Sequence, residues 1–494
     1  MNYQVVIPMT GIGRRFVDAG YTDLKPLIKV AGKTIIHHVL EMFTTATRVV
    51  CIVSKEHEQK QALIDEILKI RRDAVIVEIA QHKLGPGHAI LSAKNHIDIK
   101  LPTLVSYCDW SGIWKVELML KQLENHSGSI LTYTGFHPHM IRSTKFAYVR
   151  KSNHGVIDIQ EKEPYTSSPM NEEASAGCYG FATGSIMIEA IEEQIENRIN
   201  LNGEYYISLT YKTILENGNS VGSVCMDKFF QWGTPEDLQD WIYWSASISA
   251  LPGIASEKIE AHNIILAAGR GSRIAEVANV SKPNIMVGGQ HLWEYSSPKG
   301  ITFSSSTLVT RPEVGITLRE DLGILYLEEV TEGQAISAKI GLENITEHKS
   351  LPVNVLSSDN AFTPQIYSEV VLALDENEIV VWTSDAYPNS RLNPEQYSWM
   401  NSIEKKVIKK GLPTNFQSWE MIIGNFTFKS VSTALELIDE LIVKNIRVNG
   451  EFYLDSLIEL AFARGMKVSS LNVANFIAIG TPEEYFTYQY FRDN

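Results

Sequence analysis

Glycines and basic side chains stand together at two places in the sequence, each directly after a short apolar stretch. The pattern is G-x-G-x-R, and it occurs in "YQVVIPMTGIGRRF" (3–16) and in "HNIILAAGRGSRI" (262–274). A strand that runs through such a turn into a helix presents backbone N–H groups and the positive helix end to an anion. A lysine-proline pair follows each turn, beginning at Lys25 and at Lys282. Two fixed cations beside a phosphate-binding backbone suit a triphosphate.

Other glycine-rich motifs fit these turns poorly. A dinucleotide-binding fingerprint requires a third glycine, and this chain has Phe16 and Ile274 at that place. A Walker loop requires a glycine five residues before the Gly-Lys-Thr at 32–34, and Leu27 stands there. The turns therefore favour neither hydride transfer nor ATP hydrolysis.

The rest of the chain also repeats in order. The segments 202–238 and 449–485 match without a gap. Two further pairs of similar stretches lie between the glycine turns and these ends: 84–94 with 331–339, and 103–110 with 353–362. Repetition in a fixed order indicates two copies of one structural unit.

The elements that must position these residues alternate along each copy. Short β-branched strands such as "VVCIVS" (49–54) are followed by amphipathic helical stretches such as 55–72. This alternation predicts an α/β fold with a largely parallel sheet. A chain of 494 residues exceeds the roughly 250–300 at which one core stops growing. We place the boundary near 250–260, giving domains at 1–250 and 259–494.

Composition excludes several classes of protein. The net charge is −14 and no Lys/Arg-rich run occurs, which argues against a nucleic-acid partner. Four cysteines without C-x-x-C spacing indicate neither a disulfide framework nor a zinc site. No stretch approaches the ~18 apolar residues of a membrane span, and the N-terminus lacks a signal-peptide pattern. We therefore expect a cytoplasmic protein with no membrane partner.

The motifs resemble the sugar-phosphate nucleotidylyltransferases, in two tandem copies. The family's opening pattern, G-x-G-x-R followed by K-P-L, is similar to "GIGRRFVDAGYTDLKPL" and "GRGSRIAEVANVSKPNI". The resemblance implies two tandem Rossmann-like (GT-A-like) domains with mainly parallel central sheets. It also implies a set of catalytic cations, namely Arg15, Lys25, Arg273 and Lys282.

Four later blocks of the family pattern imply the remaining site residues. The opening glycine turns and the later base-binding block together imply the nucleotide-binding residues, which are Gly11, Gly13, Gln81, Gly85, Gly87, Gly269, Gly271 and Gly333. The aspartate that ends an apolar strand corresponds to Mg²⁺ ligands Asp109 and Asp359. The Glu-Lys-x-Pro and Asn-Gly-Glu blocks correspond to acceptor-binding residues Lys162, Lys410, Glu204 and Glu451.

The implied reaction is attack by an acceptor's phosphate oxygen on the α-phosphorus of a nucleoside triphosphate, with release of pyrophosphate. Many family members carry a second metal-binding aspartate near the end, in W-x-D-x-G-T-P. This chain has Gln231 and Ala478 at those places. The second copy departs further from the pattern, since its base block lacks the glutamine. If one copy is degenerate, we expect it to be the second.

Our leading hypothesis is a Mg²⁺-dependent tandem nucleotidylyltransferase, active at least in its N-terminal copy. Its partners would be an NTP and a phosphorylated sugar or related small acceptor, and its product would enter surface-polysaccharide synthesis. Two alternatives stay open. The second copy could be a nucleotide-binding regulatory pseudoenzyme, or the chain could be a GT-A glycosyltransferase. The single aspartates of "YCDW" and "SSDN" disfavour the glycosyltransferase, which typically carries D-x-D.

Overall fold

A computed structural model describes residues 2–153, 155–251, 256–316, 319–413 and 418–492. The chain divides into two compact units, unit 1 (Met1–Ile242) and unit 2 (Tyr243–Asn494). The division falls within one helix, Pro235–Ala250, and therefore precedes the Leu-Pro-Gly sequence at 251–253 from which the boundary was predicted. Residues 252 and 253 lie outside the described residues.

Unit 1 is built on one large mixed sheet and two small ladders. Its strands are β1 (Gln4–Met9), β2 (Lys29–Val30), β3 (Lys33–Thr34), β4 (Arg48–Ser54), β5 (Val75–Ile79), β6 (Thr103–Ser106), β7 (Trp110–Ile113), β8 (Gly128–Tyr133), β9 (Ala147–Ser152), β10 (Gly155–Glu161), β11 (Glu173–Phe181), β12 (Val221–Cys225) and β13 (Lys228–Gln231). Most strands of the large sheet are rich in Val and Ile and are buried, as in β4, because helices cover both faces.

The large sheet of unit 1 has four parallel strands along one side. Strands β6, β1, β4 and β5 are neighbours in that order and all parallel. Strand β11 then joins β6 in the antiparallel direction, and it also pairs with β8 and β9. Strand β12 is parallel to β8, and β10 is antiparallel to β9. The carboxyl ends of β1 and β6 therefore lie side by side at one edge of the sheet.

The helices of unit 1 begin mostly after strand ends. They are α1 (Arg14–Asp18), α2 (Ile35–Glu41), α3 (Lys60–Ile70), α4 (Gly85–Ser92), α5 (Val116–Gln122), α6 (His139–Arg142), α7 (Gly184–Glu196), α8 (Ile207–Glu216) and α9 (Pro235–Ala250), with 3-10 turns at Lys25–Leu27, Lys94–His96 and Pro169–Asn171. Thr34 and Thr183 cap α2 and α7 through their hydroxyl oxygens. Two apolar clusters, around Val5 and around Val6, pack against the two faces of the sheet.

Unit 2 has its own large sheet. Its strands are β14 (Glu257–Leu266), β15 (Met286–Val287), β16 (Gln290–His291), β17 (Ile301–Thr310), β18 (Gly323–Tyr326), β19 (Val353–Ser357), β20 (Asn360–Ala361), β21 (Ile379–Ser384), β22 (Ser398–Asn401), β23 (Lys406–Ile408), β24 (Glu420–Phe428), β25 (Val468–Asn472) and β26 (Ile477–Ala478). Its helices are α10 (Ser272–Ala278), α11 (Gln334–Glu343), α12 (Ile366–Ala373), α13 (Pro388–Leu392), α14 (Val431–Val443), α15 (Ser456–Ala463) and α16 (Pro482–Arg492), with 3-10 turns at Lys282–Asn284, Leu292–Ser296, Pro312–Val314 and Pro394–Gln396.

The strand order of unit 2 is the same as that of unit 1. Strands β19, β14, β17 and β18 are parallel neighbours, as β6, β1, β4 and β5 are. Strand β24 is antiparallel to β19, β21 and β22, as β11 is to β6, β8 and β9. Strands β25 and β23 complete the sheet on β21 and β22. Both β11 and β24 bend at a glycine with a φ of about 82°, Gly177 and Gly424.

A second small ladder in each unit brings the end of the repeat to the aspartate. Strand β13 pairs with β7, so that Gln231 lies opposite Trp110, directly after Asp109. Strand β26 pairs with β20, so that Ala478 lies opposite Asn360, directly after Asp359.

The prediction of an α/β fold with two central sheets is confirmed. In both sheets four neighbouring strands are parallel, and two strands run in the opposite direction, β10 and β11 in unit 1 and β23 and β24 in unit 2. The sequence pattern did not distinguish these strands from their neighbours. Among the described residues, none of the helices is both long and apolar enough to cross a membrane.

Candidate functional site

The glycine turn of unit 1 connects β1 to the short helix α1. Gly13 has a φ of 62° and precedes the first helical residue, a conformation that favours glycine. A side chain at Gly13 would stand 3.2 Å from Cβ of Lys25. Gly11 is exposed, and no atom lies within 4 Å of the place its side chain would take. Because α1 has only five residues, the anion-binding capacity expected here depends on the turn rather than on a helix dipole.

Lys25 joins this turn to the end of β6. Its Nζ lies 2.7 Å from Oδ2 of Asp109 and donates to the carbonyl oxygen of Gly233 at 3.2 Å. The backbone N–H of Trp232 donates to the carbonyl oxygen of Asp109 at 2.9 Å. Oδ1 of Asp109 accepts no hydrogen bond from the described part of the chain. The predicted cation and the predicted metal ligand are therefore in direct contact, and one carboxylate oxygen is open.

The base block of unit 1 packs against the loop that carries the predicted acceptor residues. A side chain at Gly85, whose φ is 85°, would stand 2.8 Å from the backbone nitrogen of Tyr205. The N–H of Gly87 donates to the carbonyl oxygen of Tyr205 at 2.9 Å, and Tyr205 donates back to Leu84 at 2.9 Å. Gln81 is exposed, and its backbone N–H donates to Oε2 of Glu56 at 2.8 Å. The two glycines thus let the loops approach each other closely.

The predicted acceptor residues of unit 1 meet at one tyrosine. The Tyr206 hydroxyl contacts both the Lys162 ammonium and the Glu204 carboxylate, donating to the latter. Burial, and then the Glu204 carboxylate, raise the pKa of Tyr206, while the positive charge of Arg15 opposes the shift. Arg15 itself is exposed on α1. Its charge therefore acts on the acceptor group of residues as well as on the glycine turn.

Unit 2 repeats the cation–carboxylate pair. Nζ of Lys282 lies 2.6 Å from Oδ2 of Asp359, and a side chain at Gly271 would stand 3.2 Å from Cβ of Lys282. The N–H of Ile479 donates to the carbonyl oxygen of Asp359 at 2.9 Å. Gly269 is exposed with no atom within 4 Å of its missing side chain. The side chain of Arg273 lies outside the described residues.

Asp359 differs from Asp109 in its second oxygen. Oδ1 of Asp359 accepts hydrogen bonds from the Ser357 hydroxyl and from the Asn360 amide, the latter at 3.3 Å. Burial tends to raise the pKa of Asp359, but the Lys282 ammonium and the Ser357 hydroxyl outweigh it, so the pKa lies below its ordinary value. Both oxygens of this carboxylate are therefore engaged.

The residues of unit 2 that are predicted to bind the base and the acceptor have the same backbone arrangement as those of unit 1. Gly333 has a φ of 125°, and a side chain there would stand 2.6 Å from the backbone nitrogen of Phe452. Glu451 is exposed and pairs through its backbone with Val448, as Glu204 does with Leu201. Both acceptor loops are thus held by a short bridge.

Lys410 occupies the place in unit 2 that Lys162 occupies in unit 1. Each has a positive φ, 48° and 63°, which is uncommon for a residue with a side chain. Each also stands at the end of the corresponding strand pair, and Lys410 Nζ lies 5.9 Å from the ring centre of Tyr453, as Lys162 lies 4.3 Å from that of Tyr206. Lys410 Nζ donates to the carbonyl oxygen of Gln396 at 2.8 Å.

A cavity of about 470 Å³ lies at this place in unit 2. It is lined by three of the predicted residues, Lys282, Asp359 and Lys410. Its other polar lining includes Tyr397, Ser398, Asn449, Tyr453 and Asp455. Gly269, Gly271, Gly333 and Glu451 are not among its lining residues. The cavity joins the cation–carboxylate pair to the lysine predicted to bind the acceptor.

The two predicted metal sites differ in how well their side chains suit Mg²⁺. Within the described residues, no three His, Cys, Asp or Glu side chains are grouped so as to hold a metal ion. Mg²⁺ usually takes one or two carboxylates and fills its remaining positions with waters and substrate phosphates. Asp109, with one open oxygen, fits this pattern, whereas both oxygens of Asp359 already accept hydrogen bonds. Neither Gln231 nor Ala478 supplies a second carboxylate.

Several site residues were not predicted from the sequence. Tyr206 and Tyr453 both follow the Asn-Gly-Glu block by two positions, and their repetition was the signal that could have identified them. Asp455 lines the cavity of unit 2, but unit 1 has Ser208 at the corresponding place, so comparison of the copies obscures it. Ser357 and Asn360 flank Asp359 in the sequence, and only the folded backbone shows that they bind it.

Comparison with known proteins finds similarity in the N-terminal half. Residues 4–245 match the model of the family described as nucleotidyl transferase. The chain is 25% identical over 225 residues to the "Bifunctional protein GlmU" of Clostridioides difficile (strain 630), covering 45% of this chain and 46% of the relative. It is also 25% identical over 234 residues to the protein of that name from Staphylococcus epidermidis (strain RP62A), covering 46% and 49%. The chain thus spans about half the length of the curated relatives it matches.

Two solved structures are also similar to part of the chain. One is a nucleoside-diphosphate-sugar pyrophosphorylase from Vibrio cholerae RC9, at 20% identity and a TM-score of 0.41, covering 48% of this chain and 98% of that one. The other is a UTP-bound UGPase from Acinetobacter baumannii, at 20% identity and a TM-score of 0.37, covering 48% and 91%.

Proposed function

We propose that unit 1, which lies largely within the residues 4–245 that match the nucleotidyl transferase family model, transfers a nucleoside monophosphate from an NTP to a phosphorylated sugar or related acceptor. Pyrophosphate is the second product. The single observation that carries the proposal is the contact of Lys25 with Asp109 directly under the glycine turn, at 2.7 Å. This contact supports the proposal because a cation and a carboxylate lie next to the glycine turn, and in the family pattern that turn binds the triphosphate.

The chain's own residues position and neutralise charge in this reaction. An acceptor phosphate is already a good nucleophile, so no general base is needed. Lys25 and Arg15 balance the negative charge that develops on the transferred and leaving phosphates, and the turn between Gly11 and Gly13 orients the leaving pyrophosphate. When bound, Mg²⁺ supplies charge neutralisation across the phosphates, and Asp109 is the residue that would hold it.

The acceptor lies, in this proposal, beside Tyr206. Lys162 would bind the acceptor's phosphate, and its contact with the Tyr206 hydroxyl holds the ammonium beside the acceptor. Glu204, bonded to the same hydroxyl, accepts hydrogen bonds from the acceptor's hydroxyl groups. The close packing of Gly85 and Gly87 on Tyr205 keeps the base-binding loop next to this group, so nucleotide and acceptor are held side by side.

We propose that unit 2 is a second copy of the same design. The matching strand order, the Lys282–Asp359 contact and the left-handed lysine at the end of β23 support this. Its base-binding and acceptor loops are formed by Gly333 and Glu451. The products of such an enzyme are activated sugars or similar molecules, and we propose that they supply surface-polysaccharide synthesis.

The test is direct. The full chain is incubated with Mg²⁺, each of the common NTPs and a panel of phosphorylated sugars and small phosphorylated acceptors, and pyrophosphate is measured. We expect release with one NTP, and we expect Lys25→Ala to lower the rate of the unit 1 reaction by about 10²–10³-fold. Lys29→Ala is the matched control, since Lys29 is an exposed lysine four positions away. Pyrophosphate release with no combination of substrates would contradict the proposal.

A second function for unit 2 is favoured by one specific observation. Both oxygens of Asp359 accept hydrogen bonds from protein groups, and Ala478 stands where unit 1 has Gln231. A carboxylate that already accepts three hydrogen bonds has little remaining capacity for Mg²⁺, and such a site is suited to hold a nucleotide without transferring it. In that case unit 2 senses a nucleotide or nucleotide-sugar and alters the activity of unit 1.

A further inference from the structure

Asp455 is a buried carboxylate on the wall of the unit 2 cavity. Only 7% of the residue is exposed. Its Oδ2 accepts a hydrogen bond from the Ser398 hydroxyl, and its Oδ1 has no partner among the described residues. A buried carboxylate oxygen without a donor is unfavourable, because it has lost its hydration and gained nothing in return.

The position of Asp455 in the fold does not explain this carboxylate. Asp455 directly precedes helix α15, where an aspartate commonly caps the free N–H groups of the first turn. Its side chain makes no such capping hydrogen bond. Helix capping is therefore not the reason for an aspartate at this place.

In unit 1 the carboxylate near this position is supplied by a different secondary-structure element. Ser208 of unit 1 stands at the place of Asp455, and its hydroxyl donates to Oε2 of Glu161 at 2.5 Å. Glu161 directly precedes Lys162, and Lys409 stands at the corresponding place before Lys410. The unit 1 carboxylate thus comes from strand β10, and the unit 2 carboxylate comes from the start of helix α15.

The charged neighbours of Asp455 restrict what its open oxygen can bind. Lys410 and Lys409 favour its ionised form, while burial, which dominates, and Glu459 act in the opposite direction and raise its pKa. Lys409 is already paired with Glu459, Nζ to Oε2 at 2.6 Å. A neutral hydroxyl donor would supply the missing hydrogen bond without adding a further charge to this group.

We propose that Asp455 determines the acceptor specificity of unit 2 by accepting a hydrogen bond from a hydroxyl group of a phosphorylated polyol or sugar in this cavity. The acceptor's phosphate is held by Lys410 on the same wall. Because the corresponding carboxylate of unit 1, Glu161, comes from strand β10 and accepts a hydrogen bond from Ser208, the two units present their carboxylates from different elements and select different acceptors. This inference rests on the proposed function, since it assigns the acceptor of the second site.

The test measures binding without turnover. Isothermal calorimetry is performed on the full chain carrying Lys162→Met, which weakens acceptor binding at unit 1. The probes are hexose 1-phosphates, glycerol phosphate, and the monodeoxy analogues of whichever hexose phosphate binds. For the unchanged Asp455 we expect one monodeoxy analogue to bind at least tenfold more weakly than its parent. This arm requires no variant at Asp455.

Variants at Asp455 then identify the contact. Asp455→Asn, which keeps the shape, and Asp455→Ser, the unit 1 residue, are each expected to weaken the parent acceptor at least tenfold. Neither should weaken the sensitive deoxy analogue further, since the two changes remove one hydrogen bond. Asp375→Asn, at an exposed aspartate of unit 2, is the control and should bind both ligands normally. Thermal unfolding verifies that each variant is folded.

Two outcomes would overturn the proposal. One is equal weakening of the parent and of every deoxy analogue by Asp455→Asn, which indicates a merely structural role. The other is an absence of binding by every phosphorylated probe. Binding with the expected pattern but without pyrophosphate release would instead contradict the proposed transfer reaction and leave the acceptor assignment standing.

Discussion

At the scale of residues, one pair of side chains appears in both units with different surroundings. Lys25–Asp109 and Lys282–Asp359 have nearly equal separations, 2.7 and 2.6 Å. The difference lies in the second carboxylate oxygen, which is open in Asp109 and bonded to Ser357 and Asn360 in Asp359. An oxygen that already accepts two hydrogen bonds is a poorer ligand for a hard cation, so the two predicted metal ligands are not equivalent although their residue types are identical.

We therefore predict that Mg²⁺ strengthens NTP binding through Asp109. Asp109→Asn should reduce the gain in NTP affinity on adding Mg²⁺ by about 10-fold or more, because an amide oxygen is a weaker ligand than a carboxylate. The measurement is calorimetric titration of NTP with Mg²⁺ and with EDTA. Asp227→Asn, at an exposed aspartate of unit 1, is the control. An undiminished gain in Asp109→Asn would refute this assignment of the ligand.

At the scale of elements, both units depend on close contact between two loops. The turn before α4 touches the backbone of Tyr205, and the turn before α11 touches that of Phe452. Glycine is required there for two separate reasons, a positive φ and the absence of room for a side chain. The glycine at the start of each helix therefore has a packing role in addition to any contact with a base.

These two reasons can be separated by experiment. Gly85→Ala combines a φ of 85° with a contact of 2.8 Å to the backbone of Tyr205, whereas Gly20→Ala has a φ of 86° and no atom within 4 Å. We expect Gly20→Ala to lower the free energy of unfolding by about 1 kcal/mol and Gly85→Ala by about 2–4 kcal/mol. Urea unfolding of unit 1 measures both. Equal losses would show that the loop contact contributes nothing.

Two buried aspartates near the start of helix α9 provide a second testable feature. Asp240 receives two hydrogen bonds from Arg142, one of them at 2.7 Å, while Asp237 lies 3.9 Å from that guanidinium. Burial raises the pKa of Asp237 to about 6. The folded state binds the proton of this carboxyl more tightly than the unfolded state does. The free energy of unfolding therefore falls as pH rises from about 4 through 6.

Asp237→Asn should therefore gain stability relative to the unchanged chain as pH rises. We expect the difference to grow between pH 4 and 7 by on the order of 1–3 kcal/mol, because the amide needs no ionisation. Melting temperatures across this range provide the measurement. Asp240→Asn is the comparison, and it should destabilise at all of these pH values because it breaks the Arg142 pair. A pH-independent effect of Asp237→Asn would contradict the argument.

At the scale of the whole molecule, one chain contains two units with the same strand order and different residues at the proposed acceptor sites. If both units transfer nucleotides to different acceptors, each site should control its own product. If unit 2 is regulatory, its site should change the rate of one product only. The two possibilities differ in which product disappears, not in how much total activity is lost.

We predict that Lys25→Ala and Lys282→Ala, each in the full chain, abolish the products of different acceptors. Each substitution should lower its own product by about 10²–10³-fold, because each removes a preorganised cation from one site. Products are separated by anion-exchange chromatography after incubation with both acceptors. Lys258→Ala, at an exposed lysine of β14, is the control for Lys282. If only one product is formed, and Lys282→Ala changes the rate at which it forms without removing it, unit 2 is regulatory.

The sequence by itself determined the repeated α/β design and the pairs of residues that belong to it. Apolar strands, glycine turns and Lys-Pro pairs are local patterns, and their repetition in order predicted two copies of one unit, while the family resemblance supplied the predicted roles of Lys25, Asp109, Lys282 and Asp359. The match of Lys410 with Lys162 also came from local pattern, although the surrounding letters differ.

The hydrogen-bond partners and the burial of these residues became known only from the folded structure. Whether Asp359 has an open oxygen depends on the backbone that brings Ser357 and Asn360 to it. Whether Asp455 faces a cavity depends on strand β22, which is distant in sequence and supplies Ser398. Hydrogen-bond partners and burial are set by the packing of elements far apart in the chain, and no local pattern of residue types specifies them.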